Sequence, residues 1–214
     1  MSHDTTLHRL VRPAVHLAAR AHLTPNQITT MRLATGLAAA AFFAQEAYHW
    51  MAIGGLFFLL SMLLDRLDGA LAREYDLMSL AGYRYDLASD CAASVATFVG
   101  LGIGASYAAG PGALWFGMLA GAGIGVLFLE LNVLKVASVR GYVLFGGRLV
   151  VDPDDAMIFV PILVWCGLAS LTVVVAGVMA PLAAVGVGVL GLRQRARFPV
   201  EEAGKPDRLY TRKT

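Results

Sequence analysis

Charge is scarce in this sequence, and so is cysteine. Charged side chains make up 15% of the 214 residues and apolar ones 57%, a balance that excludes an ordinary soluble domain of this size. The two cysteines, Cys91 and Cys166, both lie in apolar text, which argues against a disulfide or a thiolate metal site and for buried packing residues. His3, His8, His16, His22 and His49 show no metal-ligand spacing, so imidazole chemistry is not expected. The N-terminal segment before Pro25 has no unbroken apolar core followed by a small-residue cleavage site, and no removable leader is expected. With a net charge of only +2, a nucleic-acid partner is not expected either.

What the chain has instead is apolar length. A helix crossing a bilayer needs about 20 mostly apolar residues, and such stretches recur at 26–47, 50–73, 79–106, 112–139, 153–177 and 179–197. The expected fold is an all-α integral membrane protein of six transmembrane helices, preceded by an N-terminal amphipathic surface helix. Residues 7–21 carry that helix, with Arg9, Arg12, His16 and Arg20 on one face and Leu7, Leu10, Val11, Ala14 and Ala18 on another; it is expected in the headgroup plane. Thr24, Pro25 and Gln27 then read as an N-cap, a proline at the first helical position and a glutamine three residues after the cap. The chain divides into an N-terminal segment (1–24), a six-helix domain (25–197) and a basic tail (198–214). The connections at 44–49, 106–112 and 176–180 contain no lysine or arginine, and all 17 basic residues fall elsewhere. The positive-inside rule then puts both termini, and the 74–78 and 140–152 connections, on the cytoplasmic side. Glycine and alanine in the third, fourth and sixth spans suit close helix packing in lipid.

Ionised groups are costly inside such helices unless they serve a function, yet the second span ends in Asp65, Arg66, Asp68 and Arg73. At about 100° per residue, Asp65, Asp68, Gly69 and Ala72 share one helix face. On the third span Gly82, Asp86 and Asp90 recur every four residues and share a face as well. An antiparallel hairpin through residues 74–78 brings these four carboxylates together near one membrane depth. Close carboxylates repel unless they are neutralised, and hard cations with oxygen ligands, Mg²⁺ or Mn²⁺ and plausibly two of them, answer the need. The plainer alternative is a salt-bridged hairpin neutralised by Arg66, Arg73 and Arg84. Gly69, Ala72 and Gly82 would leave a shallow surface for a nucleotide, with the Arg73 fork available to a phosphate.

The run Asp65-x-x-Asp68-Gly69-x-x-Ala72-Arg73, then eight residues, then Gly82-x-x-x-Asp86-x-x-x-Asp90 resembles the full signature of the CDP-alcohol phosphotransferase family, with every position filled. The Leu23-Thr24-Pro25-Asn26-Gln27-Ile28-Thr29 segment is similar to that family too. The resemblance implies metal-dependent transfer of a phosphatidyl-type group from a CDP-activated donor, foremost CDP-diacylglycerol, to an alcohol acceptor with release of CMP, in phospholipid synthesis. It implies Asp65, Asp68, Asp86 and Asp90 as metal ligands, Asp90 as general base, Gly69, Ala72, Arg73 and Gly82 as nucleotide contacts, and Asn26 as a weaker donor contact. It also implies a homodimer embedded in the cytoplasmic or an equivalent membrane. Transfer from a soluble CDP-alcohol to a lipid or polar alcohol is the alternative within the family.

Lys135 and Arg140, with Glu130, Asn132 and Arg148 nearby, are candidates to line an acceptor pocket. Asp152, Asp154 and Asp155 put acid where relatives that accept phosphorylated alcohols carry an arginine, which favours a neutral polyol, an amino alcohol or another lipid headgroup as acceptor. Trp50, Trp115, Trp165 and Tyr48 read as interface or packing aromatics. A cation-coupled transporter is the competing class. It would hold its carboxylates near the bilayer midplane between structural repeats, whereas these lie near one face and no repeat is apparent.

Overall fold

A computed structural model of the chain describes residues 6–134, 142–144, 149–151 and 157–197. Helix α1 (Thr6–Arg20) leads, through a turn in which His22 adopts φ 53°, to α2 (Pro25–Phe43). The start of α2 is a capping box. Gln27 N–H donates to the Thr24 hydroxyl at 3.3 Å, Thr24 N–H donates to Gln27 Oε1 at 2.9 Å, and Pro25 occupies the first turn. Helices α3 (Tyr48–Glu74) and α4 (Leu80–Ala109) form the hairpin that carries the signature aspartates. Its turn is closed by Leu77 N–H donating to the Ala72 carbonyl at 2.9 Å and by Asp76 in the left-handed region at φ 57°. Ser79 caps α4 by accepting from Gly82 N–H at 3.0 Å.

Helix α5 (Gly112–Phe128) continues into a π-helical turn over Leu129–Val133. Strands β1 (Tyr142–Leu144) and β2 (Leu149–Val151) pair antiparallel with Tyr142 opposite Val151, inside the expected 140–152 connection; the other described elements are helical. Helices α6 (Phe159–Trp165) and α7 (Ala169–Arg197) complete the order.

Small residues set how closely the helices pack. A Cβ on Gly100 would run into the Ala40 carbonyl oxygen and one on Gly104 into that of Phe43, so α2 and α4 touch backbone to backbone. Gly102 and Gly117 do the same for α4 and α5, where an added Cβ on Gly102 would lie 2.8 Å from the Gly117 Cα. Gly123 and Gly177 join α5 to α7 in the same way, against Pro181 and Phe116. Phe43, Phe58, Phe98, Leu101 and Val164 fill the buried space between these contacts. Trp165 is a packing aromatic: its indole N–H donates to the Ala52 carbonyl at 3.0 Å, and its ring fills the space left by Gly55.

Among the described residues, four helices are long and apolar enough to cross a membrane: α3, α4, α5 with its π-helical turn, and α7. The six-span expectation is therefore met only in part. Helix α2 occupies the first expected segment, but it spans 19 residues and carries Thr29, Thr30, Arg32 and Thr35. Helix α6 has 7 residues, and residues 152–156 before it lie outside the described ones. The connection expected at 176–180 is absent, because α7 runs unbroken through that stretch with Pro181 inside it. The break falls instead at Cys166–Leu168, where Gly167 takes φ 75° and its N–H donates to the Val164 carbonyl at 2.9 Å. Apolar text on both sides hides such a turn from hydropathy.

Candidate active site

The α3–α4 hairpin gathers three of the four signature carboxylates into one group. Asp65, Asp68 and Asp86 each offer a carboxylate oxygen, and the three oxygens lie within 4.8 Å of one another. Three hard oxygen donors converging at that distance suit a Mg²⁺- or Mn²⁺-sized cation better than a soft metal, so the residues present fit a divalent ion. Asp90, one turn beyond Asp86, is outside this trio; its carboxylate pairs with an arginine instead.

That arginine is Arg32, from the middle of α2. Its Nη1 lies 2.7 Å from Asp86 Oδ1 and 3.0 Å from Asp65 Oδ1, and its Nη2 pairs with Asp90 Oδ1. One guanidinium thus serves three carboxylates on two helices. Its side chain is 4% exposed, whereas those of Asp65, Asp86 and Asp90 are 37%, 38% and 33% exposed, which makes Arg32 the floor of the site and the carboxylates its open rim. The Arg32 backbone carbonyl accepts from the buried Ser61 hydroxyl at 3.0 Å, fixing α2 against α3 at this level. Asp68, the buried member of the trio, accepts from the Thr29 hydroxyl at 2.8 Å.

Of the neutralisers that the sequence suggests, Arg66, Arg73 and Arg84, the first two act electrostatically on Asp65; Arg32 is not among them. The partner shared by Asp65, Asp86 and Asp90 is Arg32. A signal for it was present: an isolated arginine in an apolar stretch, three residues after Thr29 on the same helix, is a costly residue that calls for an anionic partner.

The expected nucleotide contacts cluster beside the carboxylates. The Arg73 guanidinium lies over Gly69, where an added Cβ would meet Nη1 at 3.1 Å. Gly82 faces Asn26, and a Cβ there would lie 3.0 Å from Asn26 Oδ1 and 2.9 Å from Ser79 Oγ. Ala72, half-buried, sits one turn below Asp68 on α3. Next to them, the Thr30 hydroxyl and the Tyr85 phenol lie 3.0 Å apart. Helix α1 packs Val15 and Ala18 against Ile28, Ala70 and Leu71, and His16 reaches Tyr75 Oη at 3.3 Å and Glu74 Oε1 at 3.8 Å. The N-terminal helix is thereby docked at the α3 end of the site.

Of the expected acceptor contacts, Lys135 and Arg140 lie outside the described residues, as do Arg148 and the Asp152–Asp155 stretch. Glu130 belongs to the π-helical turn of α5; its Oε2 is buried and has no hydrogen-bond partner among the described residues, and its Oε1 fills the space beside Gly188 of α7. Asn132 donates to the Phe128 carbonyl at 3.2 Å. Among the described residues no histidine joins the three-carboxylate group, and Cys91 and Cys166 are free thiols.

Two comparisons with known proteins bear on this site. The sequence model of a family described as CDP-alcohol phosphatidyltransferase matches residues 22–149, more than half of the chain and all of the residues that line the carboxylate site. No curated protein matches the chain.

Proposed function

Since the chain belongs to the CDP-alcohol phosphatidyltransferase family, whose members transfer a phosphate-alcohol group from a CDP-alcohol, we propose that it moves a phosphatidyl group from CDP-diacylglycerol to an alcohol, releasing CMP. The observation that carries this reading is the convergence of Asp65, Asp68 and Asp86 beside the Gly69–Arg73 and Gly82–Asn26 pairs. A carboxylate cluster and a side-chain-free surface, one next to the other, suit the two halves of a metal-bound nucleotide diphosphate.

Asp65, Asp68 and Asp86 would hold Mg²⁺ or Mn²⁺, with Asp90 approaching the same centre. Such ions, when bound, neutralise the donor diphosphate and make the attacked phosphorus more electrophilic. Gly69, Ala72 and Gly82 let the CDP moiety lie against the α3 and α4 backbones, Arg73 offers its planar fork to a phosphate, and Asn26 approaches the donor from α2. Asp90 takes the proton from the acceptor hydroxyl. The freed oxygen forms a bond to the lipid-side phosphorus, the bond from that phosphorus to the CMP oxygen breaks, and the proton passes from Asp90 to water. Asp90 suits this role because its carboxylate stands outside the ligand trio while staying on the same rim.

The membrane supplies the donor. Four apolar helices support a membrane-embedded chain, and CDP-diacylglycerol could keep its acyl chains in the bilayer while its headgroup reaches the rim. The basic residues favour both termini and the site on the cytoplasmic side, a topology that needs α2 and the segment ending in α6 to cross together with the four long helices. In this reading residues 25–197 form the catalytic domain, α1 lies at the membrane surface beside the donor, and the working unit is a homodimer. CMP release by purified protein, with CDP-diacylglycerol tested against glycerol phosphate, inositol, inositol phosphate, serine, choline and phosphatidylglycerol, tests the proposal and identifies the acceptor.

A further inference from the structure

A cluster of carboxylates designed around a bound cation has a problem whenever the cation is absent. Four like charges on facing helices destabilise the hairpin that carries them, and the deficit grows with burial because screening by water is lost. The chain carries a solution in α2. Arg32 meets one oxygen, Oδ1, of each of Asp65, Asp86 and Asp90 from below. Its guanidinium is nearly sealed from solvent while the carboxylates remain open on the other side, so a cation can arrive at the rim without displacing it. The α2 backbone is held at this level by the Ser61 hydrogen bond to the Arg32 carbonyl and by Gly36, where a Cβ would lie 2.8 Å from the Ala93 Cβ.

We propose that Arg32 is a resident counter-cation: a positioning residue that keeps the carboxylate cluster assembled when no divalent ion is bound, and whose electrostatic role a bound ion can take over. This rests on the metal-binding reading of the aspartates given above. A buried guanidinium shared among three acidic groups is costly to strip of its charge, since the carboxylates then lose the cation they share, although Arg66 and Arg73 still act on Asp65. A divalent cation at the rim supplies that compensation from the other side. Stability and metal binding are therefore linked through Arg32.

The test compares the full chain, purified in detergent, with Arg32→Gln and Arg32→Lys by thermal unfolding in chelator and in saturating Mn²⁺. Arg32→Gln is expected to lose several degrees in chelator and to regain most of the loss in Mn²⁺. Arg32→Lys, which keeps the charge, should unfold closer to the wild type in chelator. Adding Asp90→Asn to Arg32→Gln should raise the chelator midpoint above that of Arg32→Gln alone, because one uncompensated charge has gone; a packing role would make the two losses add. Mn²⁺ affinity measured by electron paramagnetic resonance should be about tenfold or more tighter in Arg32→Gln than in the wild type, as expected when a positive charge beside the ligands is removed. Equal loss in chelator and in Mn²⁺, while Mn²⁺ still stabilises the wild type, would overturn the counter-cation role and leave the metal reading standing. If Mn²⁺ neither binds nor stabilises any of these proteins, both fall together. Should Arg32→Gln yield no folded protein in either condition, failure of Arg32→Lys to fold as well would also overturn the proposal, since charge would then not be what matters.

Discussion

At the scale of single residues, the division among the aspartates has direct consequences. Asp90→Asn keeps the shape of the side chain and removes the base, so turnover should fall about 10²–10⁴-fold in a protein that still folds, with its unfolding midpoint lowered by the loss of the Arg32 ion pair; wild-type CMP release by that variant would show that Asp90 is not the base. Thr29→Val removes the donor at 2.8 Å from Asp68 and should weaken metal affinity by about 10–100-fold, read as a higher Mn²⁺ concentration for half-maximal activity. Gly82→Ala would push a methyl toward Ser79 and Asn26 and should cost roughly tenfold in kcat/KM for the donor, mostly through KM. The aspartates and their glycine neighbours could be read from the sequence because their spacing repeats on two helices. Thr29 and Arg32 could not be assigned in that way. Their carboxylate partners lie 33 or more residues away on other helices, and no local spacing connects an α2 side chain to a carboxylate on α3 or α4.

At the scale of elements, close backbone approach is what holds the site in register. Gly100→Val would drive α2 and α4 apart at Ala40 and should destabilise the protein by about 1–3 kcal/mol. It should also reduce activity, because α2 carries Thr29 and Arg32 while α4 carries Asp86 and Asp90. Gly186→Ala serves as the contrast. Nothing lies within 4 Å of the added atom, and the substitution favours helix, so the midpoint should stay level or rise, by at most about 1 kcal/mol. A melting series on the two variants checks both expectations. The α2 cap and the hairpin around residues 74–78 were legible in the sequence, since Thr24, Pro25 and Gln27 act on their own neighbours, whereas the Ser79 cap of α4 was not read there. The α6–α7 break was not. Gly167 looks like any other glycine in apolar text, and Pro181 is carried inside a helix whose neighbour, Gly123, makes room for it.

At the scale of the whole molecule, the chain brings an acidic rim, a basic floor and a glycine-lined surface together where α2, α3 and α4 meet, within a bundle in which α3, α4, α5 and α7 are long and apolar. Membership of the CDP-alcohol phosphatidyltransferase family accounts for why a membrane bundle would keep such costly groups at one place, whereas a transport site is expected near the bilayer midplane between repeats. The most direct test of that account is CMP release from CDP-diacylglycerol by the purified protein with each candidate alcohol, measured in Mg²⁺ or Mn²⁺ and again after chelation. The account predicts acceptor-dependent CMP that appears only with a divalent cation and is lost in Asp90→Asn. CMP release that survives chelation, or cation uptake into liposomes with no CMP formed, would contradict it.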